Sequence, residues 1–483
     1  MLQLAHASVE LGHSVQLITS RCDANHCFAP LKPTTGTLYP YLKVWGEWIP
    51  QDFLGMGGRA ICSTLRVLYL SYRLSRPQSK HEPEPDIIVM DVLPTPLALL
   101  QWWMPNSSLL FYCHFPDQLL TQNKSKTTKK SFYRSVLDFL EERTMPFADS
   151  IVVNSKFTQQ TVLRTFPSLQ KLNLHLPVLY PALDTTALDS NKSNINSDDK
   201  TPKYPIKPLV SLNRYERKKN VLLLLQAVQW IIDNQQDDDH DKVKIPPIII
   251  AGGYDVHNVE NVEYRGELQQ YVNQHKQLEK LVQFQQSISD EQRTLLLKEA
   301  LAVVYTPTNE HFGIVPLEAM YCKTPVVAVN TGGPTETVLD GQTGFLCDPT
   351  PQAFGKALLT LIRQDPQLTA DMGQAGRQHV LRTFGQERMV EEWNTLVNET
   401  VQKGKKRQEK YNTTFQFIGN LIQLSLDALM TVLFFWLLTL LLRQAGILHS
   451  SKESLLGGLQ LLFGIKSTTF YDGTDDDDVN GEL

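Results

Sequence analysis

The chain has 483 residues, 42% of them hydrophobic and 20% charged, with 26 glycines, 27 prolines and a formal net charge of −5. This is globular composition with length enough for two or three domains, and it excludes collagen-like, low-complexity and wholly disordered chains. The charge gives no global case for nucleic acid, so any attraction for an anion must be local.

The amino end reads as a helix (LQLAHASVEL after Met1), then Gly12, then a strand over Val15–Thr19. In an open α/β domain such a helix follows a strand and its loop, so the first domain is expected to begin after its first strand. Ala60–Leu74 mixes apolar residues with Arg59, Arg66 and Arg73 seven apart. That spacing describes an amphipathic helix with a basic stripe, facing either solvent or lipid. Short apolar strands are expected at Asp86–Val92, Leu109–Cys113 and Ser150–Asn154, followed by a polar surface loop over Asp184–Lys203. The same pattern returns at Leu209–Asn213, Pro247–Gly252, Leu281–Gln286, Leu301–Tyr305 and Pro325–Asn330, with helices between and a polar insertion over Asp233–Asp241. Two successive doubly wound domains fit this alternation, residues 1–200 and 201–400.

Beyond them, Leu358–Gln402 is helical in character and leads into the basic run KGKKRQEK at Lys403–Lys410. Residues 418–442 then form an apolar run whose one charge is Asp427, long enough for a tilted transmembrane helix. The basic flank places everything before it on the cytosolic side. The tail, residues 443–483, carries a short apolar segment and ends in the acidic DGTDDDDVNGEL. The six cysteines (Cys22, Cys27, Cys62, Cys113, Cys322, Cys347) lack CxxC spacing and read as reduced, buried thiols, not as a disulfide frame or zinc site.

Chemistry concentrates in the second domain. PTNEHFGIVPLEAM, Pro307–Met320, follows a strand directly, with Glu310 in the loop and Glu318 in the helix that opens near Ile314–Pro316. A strand, loop and helix start present outward backbone N–H groups that favour an anion, and Gly313 lets a phosphate approach the chain. Glu318 is placed to accept hydrogen bonds from ribose hydroxyls, and Glu310 to reach a sugar beyond the diphosphate. Cations that neutralise such a ligand stand after another strand, in LNRYERKKN, where Arg214 and Lys219 can clamp one diphosphate from two sides.

Arg-x4-Lys, then AGG at Ala251–Gly253, then Glu-x7-Glu, then NTGGPTETV and DGQTGFLCDP together resemble glycosyltransferase family 4, of GT-B fold. With FYCHFPDQLL and ADSIVVNSKFT upstream, the wording is similar to the eukaryotic α-1,3/1,6-mannosyltransferases of dolichol-linked oligosaccharide assembly, over about Leu4 to Asn398. The resemblance implies two Rossmann-like domains facing a cleft, the first on the acceptor side and without the family's opening strand and glycine-rich loop. It also implies a retaining transfer of mannose from GDP-mannose, with no cofactor or metal required. The acceptor would be a dolichol-diphosphate oligosaccharide, taken from Man-GlcNAc2 to Man3-GlcNAc2 at the endoplasmic reticulum membrane, beside other glycosyltransferases of the pathway. By family role Arg214 and Lys219 bind the diphosphate, the Gly313, Ile314 and Val315 backbone completes the phosphate cradle, and Glu318 binds the ribose. Glu310 lies near the transferred mannose, as nucleophile or orienting group, and His114 of CHFPD faces donor sugar and acceptor. Two other readings carry the same motifs: a related lipid-acceptor glycosyltransferase, and an inactive membrane-anchored scaffold.

Overall fold

The computed structural model describes residues 1–23, 27–51, 59–76, 83–120, 128–190, 204–235 and 243–412. The apolar run 418–442, the tail 443–483 and parts of the two polar segments near 184–203 and 233–241 lie outside these residues. No described helix is long and apolar enough to cross a membrane.

The second half is built on one six-stranded parallel sheet. Its strands are β6 (Leu209–Leu212), β7 (Ile248–Gly252), β8 (Val282–Gln286), β9 (Ala302–Tyr305), β10 (Val326–Val329) and β11 (Gly344–Cys347), in spatial order β11-β10-β9-β6-β7-β8. Renumbered from β6, this is the 3-2-1-4-5-6 order of a doubly wound nucleotide-binding sheet, whose direction of winding reverses between β6 and β9. At that reversal Leu209 pairs with Ala302 and Val210 with Val303. Strands β6, β9 and β10 are buried at every position, as continuous apolar runs covered by helices on both faces demand. One face packs on helix Leu222–Asp233 and helix Pro351–Arg363, the other on helix Ile314–Tyr321 and helix Pro366–Phe384.

The first half carries two separate parallel sheets among the described residues. One pairs β1 (Leu17–Thr19) with β2 (Leu42–Val44); the other orders β3 (Ile87–Asp91), β4 (Ser108–Cys113) and β5 (Ser150–Val153) as β3-β4-β5. The last helix, Gln386–Asn412, returns to this half. Its Met389, Trp393, Leu396 and Val397 join Leu4, Ala7, Leu110, Tyr112 and Val152 in one apolar cluster. The Trp393 indole N–H donates to Ser8 Oγ at 2.9 Å. Near its end Gly404 rides so close to β4 that a Cβ there would lie 2.1 Å from Ser108 Oγ. The basic run therefore has an inward face. Arg407 Nε donates to the buried Asp149 carboxylate at 2.9 Å and its Nη2 to Ser107 O at 2.9 Å. Lys403 reaches Ser150 Oγ at 3.2 Å.

The amphipathic helix forms over Arg59–Leu74, but its basic stripe is not all solvated. Arg66 Nε donates to Ile49 O at 3.2 Å, and the Arg73 guanidinium lies 6.0 Å from the Trp45 ring centre. The six cysteines form no disulfide, and Cys22, Cys27 and Cys322 are half-buried where full burial was expected.

Candidate active site

The site sits at the strand-order reversal, where the loops after β6 and β9 leave the sheet side by side. After β6 the chain is pinned by Tyr215. Its buried hydroxyl donates to Ile250 O at 3.0 Å, and Asn261 Nδ2 donates to Tyr215 O at 3.0 Å. Gly252 at the end of β7 is needed for this approach, since a Cβ would meet Asn213 O at 1.9 Å. The loop then closes a tight turn over Arg217–Lys219, with Asn220 in the left-handed region at φ 47°. Thr306 Oγ1 fixes that turn to the neighbouring loop through Lys219 O at 2.7 Å.

This scaffold brings Lys219 and Glu310 together: Nζ lies 2.6 Å from Oε2, with the lysine side chain 12% and the carboxylate 27% exposed. Glu310 is held from behind. Gly333 N–H donates to Glu310 O at 2.7 Å, and Gly332, at φ 71°, leaves no room for a Cβ against the Glu310 backbone. The Tyr305 hydroxyl also bonds Glu310, and its own ionisation is pushed upward by burial first and by this carboxylate second. Gly313 follows at φ 83° and opens helix Ile314–Tyr321, whose first turn has no side-chain cap. Its N–H donors, those of Ile314 and Val315 included, are thus left for an anion.

Arg214 stands apart from Lys219. It is 61% exposed and pairs at 3.0 Å with Glu216, which Lys218 also approaches at 3.1 Å. Glu318 is buried, and burial pushes its carboxyl up to about 7 against the opposing pull of Arg293. Arg293, on helix Asp290–Glu299, bonds Glu318 Oε2 and leaves Oε1 without a protein partner among the described residues. No motif marks Arg293, because its bond to Glu318 joins two helices whose partners lie 25 positions apart.

His114 lies just beyond β4 in the first half, with Nε2 3.7 Å from Asp91 Oδ2 at the end of β3 and its ring 4.8 Å from the Tyr112 ring centre. Its loop is tied down by Glu141, which accepts from Asp117 N–H at 2.7 Å and Gln118 N–H at 3.2 Å. Burial raises the Glu141 carboxyl to about 7 despite those two bonds. The next residue, Phe115, stacks on His311 with ring centres 3.6 Å apart and planes 9° from parallel. His311 is adjacent in sequence to Glu310, so this stack joins the loop of His114 to the loop of Glu310 across the two halves. Burial depresses the His311 imidazole to about 4, so it is neutral at pH 7. Asp91, Phe115 and His311 meet partners distant in sequence, so spacing alone does not mark them.

A cation paired with a carboxylate, an uncapped helix start and a buried carboxylate held by an arginine thus stand in the loops and helices that follow β6 and β9. The family model for glycosyltransferase family 4 matches residues 1–185, and that for glycosyl transferases group 1 matches residues 193–379. The chain is similar to "Alpha-1,3/1,6-mannosyltransferase ALG2" of Homo sapiens, 40% identical over 394 residues, covering 81% of this chain and 90% of the relative. The protein of the same name from Rhizomucor pusillus is 38% identical over 392 residues, 77% of this chain and 82% of the relative. Among solved structures, sucrose-phosphate synthase from Thermosynechococcus elongatus superimposes with a TM-score of 0.59 at 19% identity, over 82% of this chain and 91% of that one. Anabaena HepE in complex with UDP and glucose gives 0.55 at 19% identity, over 82% and 95%. These two likenesses establish the fold.

Proposed function

The chain belongs to the α-1,3/1,6-mannosyltransferases of glycosyltransferase family 4, and from that membership we propose that it moves mannose from GDP-mannose to a dolichol-diphosphate-linked oligosaccharide. The product would grow from Man-GlcNAc2 to Man3-GlcNAc2 by one α-1,3 and one α-1,6 addition, each with retention at the anomeric carbon. The observation that carries this reading is the Lys219–Glu310 pair at 2.6 Å, set at the sheet reversal beside an uncapped helix start. When the glycosidic bond to the donor breaks, negative charge grows on the leaving diphosphate. Lys219, Arg214 and the N–H groups of Gly313, Ile314 and Val315 are the positive groups available to stabilise it, which makes a metal unnecessary. Arg214, exposed and paired with Glu216, would swing onto the diphosphate as the donor enters.

Glu318 would hold the ribose through the oxygen that Arg293 leaves free. Glu310, with Oε2 on Lys219, orients the mannose, and His114 approaches from the acceptor side. The apolar run 418–442 anchors the enzyme to the endoplasmic reticulum membrane with its catalytic halves in the cytosol, beside an acceptor that itself resides in the bilayer. The test is incubation of the full chain with GDP-mannose and a monomannosylated dolichol-diphosphate chitobiose analogue. A trimannosyl product is expected; absence of any mannose transfer would sink the reading.

A further inference from the structure

The stretch NTGGPTETV contains one charged residue that the donor site does not use. Glu336, in the turn Pro334–Thr337 of the second half, points into the first half. Its Oε2 accepts from the backbone N–H of Lys156 at 2.8 Å and from the Tyr180 hydroxyl at 2.9 Å, and its Oε1 accepts from Phe157 N–H at 2.6 Å. Lys156 opens helix Lys156–Thr165, directly after β5. The first N–H groups of a helix have no partner within it. Thr158 N–H finds one in the cap Ser155, while Lys156 and Phe157 find theirs in a carboxylate from the other half of the protein. The positive helix start favours that negative charge, so the bonds are charge-assisted. The same Ser155 hydroxyl also crosses between the halves, donating to His311 O at 2.6 Å.

We propose that Glu336 is a positioning residue for mannosyl transfer: by capping helix Lys156–Thr165 it locks the two halves at the separation that sets His114 against Glu310. The geometry links the parts in one line. Glu336 and Ser155 fix the start of the helix against the second half, Ser155 holds the His311 backbone, and His311 stacks on Phe115 next to His114. None of these groups touches the diphosphate or ribose subsites assigned above. Loss of the carboxylate should therefore leave donor binding intact and slow the step that needs both halves. This rests on the function proposed above, and an exchange measurement that needs no activity keeps the two separable.

The test uses the full chain with Glu336→Gln and, as a milder variant, Tyr180→Phe, which removes one of the three bonds. Removing a charge-assisted bond is expected to lower kcat about 10-fold to 100-fold for Glu336→Gln, while GDP affinity measured by calorimetry stays within about threefold. Hydrogen exchange of a peptide covering 155–160 should accelerate in the same variant, since Gln keeps one acceptor oxygen and sets an NH2 donor against the other amide, so one of the Lys156 and Phe157 amides loses its partner. Unchanged kcat, unchanged exchange, or a loss of GDP affinity in proportion to kcat would each overturn the proposal. Should Glu336→Gln fail to fold, Tyr180→Phe decides: a reduced kcat at wild-type GDP affinity supports the lock, and wild-type kcat refutes it. A wild-type chain that shows protected 155–160 amides but neither binds GDP nor transfers mannose refutes the function and not the lock.

Discussion

The two halves of this protein solve different problems with the same strand–helix alternation. The second encloses a six-stranded sheet and carries the groups suited to a charged nucleotide at its reversal point, with Lys219, Glu310, Glu318 and Arg293 all partly or largely withdrawn from solvent. The first has shorter sheets and offers the cleft one candidate, His114, on a side chain 43% exposed. Stabilising a leaving diphosphate needs fixed, dry dipoles, whereas admitting a bulky lipid-linked acceptor needs an open wall. On the function proposed above, the contrast in burial matches the contrast in ligand.

That contrast breaks most visibly at Lys219. Lys219→Ala should lower kcat/KM by about 10³-fold, because a partly buried cation is lost and Glu310 is left without its partner. Steady-state transfer assays with thermal unfolding as a control check this, and near-normal turnover would remove the second half from the chemistry. Glu310→Gln keeps the shape and removes the charge, and should cost about 10²-fold in kcat with the donor KM nearly unchanged. Arg293→Met tests the ribose subsite, where the donor KM should rise about tenfold.

The pH dependence sharpens the same point. Burial raises the folded Glu318 carboxyl to about 7. Its protonated form therefore favours folding below its unfolded value of 4.5, and that contribution fades as pH rises through about 7. Ribose binding runs the other way, since the ionised carboxylate is the better acceptor, so donor affinity should fall as pH drops below about 7. Without Arg293 that fall should begin at higher pH, a displacement that donor KM measured across neutral pH would reveal. The smallest effect on catalysis belongs to Arg407→Ala, in the helix that returns to the first half. It leaves the buried Asp149 unpaired and should cost about 2–3 kcal/mol of stability, read by denaturant unfolding, with the donor KM unmoved.

How much of this was legible in the sequence depends on what fixed each feature. Strands such as Leu209–Leu212 and Val326–Val329 are buried on both faces, so their apolar runs announce them. Leu42–Val44 and Gly344–Cys347 lie at sheet edges and are only partly buried. Such edge strands leave no run to read. The site divides likewise. Lys219, Glu310 and Glu318 follow strands within short motifs, where local chain direction dictates position. Arg293, Glu141 and His311 act through partners distant in sequence, which spacing cannot express. The basic run near Lys403 shows the limit of composition: a cluster read as a cytosolic flank also turns one arginine inward onto Asp149.

The return of helix Gln386–Asn412 has a consequence for how the chain comes into being. Trp393, Leu396 and Arg407 complete the core and the charge balance of the half that is synthesised first. On the ribosome, then, the first half waits with Asp149 and the Leu110 face uncovered until the second half has already emerged. Closure of this early half comes at Gly404, where a β-carbon would strike Ser108, near the end of the described residues. Completion of the first half is thus among the last events in the synthesis of the described residues.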